Sequence, residues 1–132
     1  MKFARWSYAA AGIYGLLLIT PMYFIEAQVG QSDPPAITHP EYFYGFIGVT
    51  LAWQLVFLMI ARDPARYRPI MLAAIVEKVS YGIAALTLEL SARVSPIIGM
   101  FGVVDLVIAA LFLLSFYLMR PQRAPADTAA VA

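Results

Sequence analysis

Residues 70–90 read IMLAAIVEKVSYGIAALTLEL. No proline interrupts these 21 residues, and they are mostly apolar, with an acidic and a basic residue side by side near the middle and Glu89 near the far end. About 20 mostly apolar residues, at a rise of about 1.5 Å each, are what one helix needs to cross a hydrocarbon core. Glu77 and Lys78 together cost about 5–7 kcal/mol at the centre of such a span. The nine Ile, Leu and Val residues return about 3–5 kcal/mol. A helix this marginal needs polar partners from other helices, so the segment predicts a bundle rather than a single span.

Three further apolar runs lie on either side, at residues 6–27, 42–61 and 96–119, and the run at 42–61 carries no charge. The whole chain is 62% apolar and 13% charged, against about 45–50% and about 25% in soluble domains. A chain of 132 residues has too little interior to hide that excess from water. The connections are short. Residues 30–40 contain Pro34-Pro35 and lead into His39-Pro40-Glu41, a helix start; residues 61–69 read ARDPARYRP, in which Asp63-Pro64 is placed to cap a helical turn. Thr20-Pro21 marks a kink in the first helix. The sequence predicts an all-α, integral membrane antiparallel four-helix bundle in a single domain, residues 1–120, with a disordered tail at 121–132.

Lys2, Arg5, Arg62, Arg66, Arg68, Arg120 and Arg123 fall on one side of this layout, and Arg93 alone falls on the other. The positive-inside rule then puts both termini in the cytoplasm and the 28–41 loop outside. Trp6, Tyr8, Tyr23, Tyr42, Tyr44, Tyr67 and Tyr117 lie near run ends, where amphipathic rings collect. A preference for arginine over lysine and many alanines fit a bacterial inner membrane. A net charge of +1 gives no reason to expect a nucleic-acid partner. The absence of cysteine excludes disulfides, thiol chemistry and cysteine-held metal clusters. No cofactor is expected.

Depth along the helices names a candidate site. Lys78 lies about 12 Å from one boundary, Asp105 about 13 Å from the other, and Gln54 about 10–12 Å from the first. Gln54, Glu77, Lys78, Tyr81 and Asp105 are therefore expected to form one buried polar layer. Stripes of small residues run through the same region: Ala74, Gly82 and Ala85 beside Lys78, Gly99, Gly102 and Ala109 beside Asp105, and a third stripe of Gly45, Gly48 and Ala52. Such stripes let membrane helices approach closely, within one chain or between copies in a homo-oligomer. The layer has three readings: a structural ion pair, a ligand site, or a proton path. Glu26, His39, Glu41 and Glu89 gather near the outer boundary and are weak candidates for a metal site, without any recognised ligand spacing.

The turn Arg62-Asp63-Pro64, the pair Glu77-Lys78 followed by Gly82, and the pattern Gly99, Gly102, Asp105 resemble those of uncharacterised four-helix bacterial membrane proteins of the DoxX-like kind, over about the last two-thirds of the chain. The resemblance implies the four-helix fold and no catalytic residues. The residues themselves favour a non-enzymatic module that binds a lipid-like ligand or a partner helix. The alternatives are a small oligomeric proton-coupled transporter and, third, a membrane enzyme acting on an apolar substrate.

Overall fold

Four long helices carry the architecture of the computed structural model, which describes residues 1–120; the tail at 121–132 lies outside the described residues. They are α1 (Lys2–Ile19), α3 (Pro40–Arg62), α4 (Arg68–Leu90) and α5 (Pro96–Leu118), and all four spans are long and apolar enough to cross a membrane. A short helix, α2 (Glu26–Ser32), lies between α1 and α3. No strand occurs among the described residues. The all-helical four-span architecture read from the sequence is therefore present.

The helix ends follow local chemistry more closely than hydropathy does. The first helix starts at Lys2 rather than residue 6, because nothing in Lys2-Phe3-Ala4-Arg5 opposes helix; the apolar limit marks the membrane, not the helix. Its α-helical part stops at Ile19. Pro21 brings no N–H to the ladder, and Thr20–Phe24 tightens into a 3₁₀ turn. Residues 28–41, expected as a loop, contain most of α2. Helices α3, α4 and α5 each carry proline within their first two positions, where its missing N–H costs nothing.

Two turns join the later helices. In the first, Asp63 Oδ1 accepts the Arg66 backbone N–H at 3.2 Å, so the expected cap forms, and Pro64 beneath it is fully buried. In the second, Ala92 adopts φ 54°. Its N–H donates to the Glu89 carbonyl at 2.8 Å, while Arg93 N–H donates to the Leu88 carbonyl at 2.9 Å. This pair of bonds is the Schellman ending, which places a left-handed residue after the helix and normally uses glycine there.

The helices pair as two hairpins, α1 with α3 and α4 with α5. Between hairpins α1 meets α5, while α3 touches α4 only sparsely. Lipid offers no hydrophobic gain for helix association, so close packing must hold each pair. A Cβ on Gly82 would lie 2.7 Å from Leu106 Cγ and 3.0 Å from the Gly102 carbonyl oxygen, and one on Gly102 would lie 2.9 Å from Ala85 Cβ. The stripes on α4 and α5 are thus the α4–α5 contact. The stripe on α3 is not used this way: a Cβ on Gly45 would meet nothing within 4 Å, and Ala52 is exposed.

The shared core lies toward the end that holds residue 1. Ala4, Tyr8 and Ala11 of α1, Phe57, Ile60 and Ala61 of α3, Met71 and Ala74 of α4, and Phe112 of α5 form one cluster. Tyr8 was expected at the boundary, yet it is fully buried, with its ring stacked on Phe112 at 3.8 Å between centroids. The ring packs as an aromatic of the core, and its hydroxyl has no hydrogen-bond partner.

Candidate functional site

The polar layer forms above this core, and its centre is Lys78. The Nζ donates to both Asp105 carboxylate oxygens, each at 3.2 Å, and lies 3.5 Å from Glu77 Oε2. Side-chain exposures are 8% for Lys78, 17% for Glu77 and 13% for Asp105. The glycines explain how a lysine on α4 reaches an aspartate on α5. Gly82 lies one turn beyond Lys78 on the same face, Gly102 one turn before Asp105, and their mutual contact draws the backbones together. From α3, the Phe57 ring lies 5.5 Å from Nζ, so its face adds an attraction for the cation.

The charge count is uneven: one ammonium faces two carboxylates. Glu77 Oε2 is buried and, although near Nζ, makes no hydrogen bond. Tyr81, one turn above Glu77, packs against Phe46 of α3 at 6.1 Å between centroids. Tyr14 of α1, which the sequence reading did not name, lines a groove together with Val104 of α5, the residue before Asp105. Only its depth on α1 could have signalled it.

Gln54 is buried at the expected depth but turned elsewhere. Its Nε2 donates to the Thr50 carbonyl at 2.9 Å, and its amide lies against Gly15 of α1, where a Cβ would overlap it. Its Oε1 has no hydrogen-bond partner. Gln54 therefore belongs to the α1–α3 contact rather than to the ion pair. The physical reason is azimuth: depth along α3 does not say which neighbour a residue faces.

The outer acidic group does not converge. Tyr44 donates to Glu26 Oε2 at 2.8 Å, His39 pairs with Glu41 at 3.3 Å with both largely exposed, and Glu89 lies along Gly99. No three His, Asp or Glu residues come together to hold a metal ion among the described residues.

An apolar groove of about 230 Å³ runs between α1 and α5, lined by Ser7, Ala10, Tyr14, Val104, Ile108 and Leu111 among others. Tyr14 and Val104 are both in its lining, and Asp105 follows Val104 in the chain. Arg68, at the start of α4, which the sequence reading gave only as part of the basic side, also makes a contact of its own. Its Nη2 donates to the Phe116 carbonyl at 3.3 Å and its guanidinium lies 3.8 Å over the Phe116 ring. It clips the start of α4 to the end of α5, whose carbonyls attract a cation.

Four apolar spans around a buried ion pair define a multi-pass α-helical membrane protein. Comparison of the chain with known protein families, with curated proteins and with solved structures finds no match.

Proposed function

We propose that this chain is a non-enzymatic membrane module that holds one lipid-like molecule, its apolar part in the α1–α5 groove and its polar end at the layer around Lys78 and Asp105. The observation that carries the reading is the position of the groove, whose lining residue Val104 directly precedes Asp105 in α5. Intramembrane charges are expensive and face interiors or ligands by default. Here Glu77 adds a buried carboxylate oxygen that is ion-paired with Lys78 but accepts no hydrogen bond. The basic residues gathered at one end support an inner-membrane orientation with both termini cytoplasmic.

The test is native mass spectrometry of the gently solubilised protein, wild type beside the apolar variant Glu77→Leu/Lys78→Leu/Asp105→Leu. The reading expects a discrete small molecule on the wild type that the folded variant loses. If the wild type carries only bulk lipid, or both proteins retain the same molecule, the layer is structural and the reading falls.

A further inference from the structure

The end of the bundle where α4 starts and α5 stops is held in a fixed shape and left electrically unbalanced. Lys2, Arg5, Arg62, Arg66, Arg68 and Arg120 all lie at this end, and Asp63 is its sole acid among the described residues. Asp63 Oδ1 is engaged by the Arg66 backbone N–H. The ion pairs among the described residues involve His39 and Lys78 and none of these arginines.

Three of the guanidiniums are organised rather than loose. Arg66 lies 5.6 Å from the Tyr67 ring centroid, Arg68 lies 3.8 Å over Phe116, and Arg120 lies 4.5 Å over Tyr117. Phe116 and Tyr117 are consecutive on the last turn of α5, so Arg68 and Arg120 are both anchored to that turn. Arg68 spends one N–H on a carbonyl and has a buried Nε without a partner. Arg66 and Arg120 remain exposed. Just inside this rim, Ile70, Leu72, Leu114 and Leu118 are exposed apolar residues on the same two helices.

We propose that this corner retains an anionic phospholipid. Arg66 and Arg120 hold its phosphate group, Arg68 sets their spacing through α5, and the acyl chains lie along the exposed leucines and isoleucine. Guanidinium groups match phosphate oxygens in geometry as well as charge. Stacking on interfacial rings reduces the freedom they lose on binding. The site is separate from the polar layer and stands whether or not that layer binds a ligand.

The experiment uses the whole chain in nanodiscs with equal amounts of phosphatidylcholine and phosphatidylglycerol, followed by release in native mass spectrometry. The wild type is expected to retain phosphatidylglycerol preferentially. Arg66→Gln/Arg120→Gln, which alters only exposed side chains, is expected to lower that preference about thirtyfold, on the scale of two cations at a membrane surface. Arg93→Gln, at the opposite end, is expected to match the wild type. Equal retention of the two lipids by the wild type overturns the proposal. So does an unchanged preference in the double variant, or an equal loss in Arg93→Gln, which would make the effect one of net charge.

Discussion

Removing Lys78 should injure the protein more than removing Asp105, although the two are partners. In Lys78→Leu both Glu77 and Asp105 stay buried with no cation near them. Breaking a buried pair in this way costs about 3–5 kcal/mol. In Asp105→Leu the ammonium keeps Glu77 Oε2, which starts only 3.5 Å away, and the face of Phe57. The loss is then nearer that of charge-assisted hydrogen bonds, about 1.5–3 kcal/mol. Replacing the whole triad in Glu77→Leu/Lys78→Leu/Asp105→Leu removes the desolvation cost along with the attraction. That variant should lie within about 1 kcal/mol of the wild type or above it. Unfolding in mixed micelles of rising SDS content, followed by far-UV circular dichroism, ranks the four proteins. If Asp105→Leu proves as unstable as Lys78→Leu, Glu77 does not share the lysine. If the triple variant is no better than Lys78→Leu, the penalty comes from packing and the electrostatic reasoning is wrong.

Other parts of the structure make similar demands. Ala92→Gly should stabilise the protein by about 0.5–1 kcal/mol in the same assay, because glycine takes the left-handed conformation without a Cβ penalty; a loss of stability would contradict the Schellman assignment. Gly15→Leu drives a side chain into the Gln54 amide and should cost about 1–3 kcal/mol. Adding Gln54→Ala should restore part of that loss, and strictly additive effects would show that the two residues do not meet. Since the chain has no cysteine, Ala65→Cys and Arg93→Cys can be labelled singly with an impermeant maleimide. They should react from opposite sides of the membrane, with Ala65→Cys accessible from the cytoplasm, and the reverse pattern would invert the orientation.

Hydropathy made the four spans legible because each is a continuous apolar run that water could not tolerate. Counting depth along antiparallel helices was enough to match Lys78 with Asp105, since the glycines on both helices lay in register with the charges. The same arithmetic misplaced Gln54. It gives height but not azimuth, and the clue was on another helix, in Gly15 at matching depth. Tyr8 was assigned to the boundary by its distance from the terminus, whereas the core cluster reaches almost to that end of α1. Helix α2 has only seven residues, too few to show an apolar period. Arg68 looked like one more residue of a topology signal, and its clip to Phe116 depends on two helix ends meeting 48 residues apart in sequence.

The hairpin pairing also bears on how the chain is made. Helix α5 is the most apolar of the four spans, whereas α4 carries two of the three charges of the polar layer. Asp105 leaves the ribosome 27 residues after Lys78, a delay of about 1–5 s at usual rates of synthesis. During that interval α4 holds a lysine and a glutamate with no aspartate to meet them. The arrival of α5 supplies both the missing carboxylate and the stronger drive to enter the bilayer. The second hairpin is therefore a unit of charge compensation as well as of packing, completed only when α5 has been synthesised.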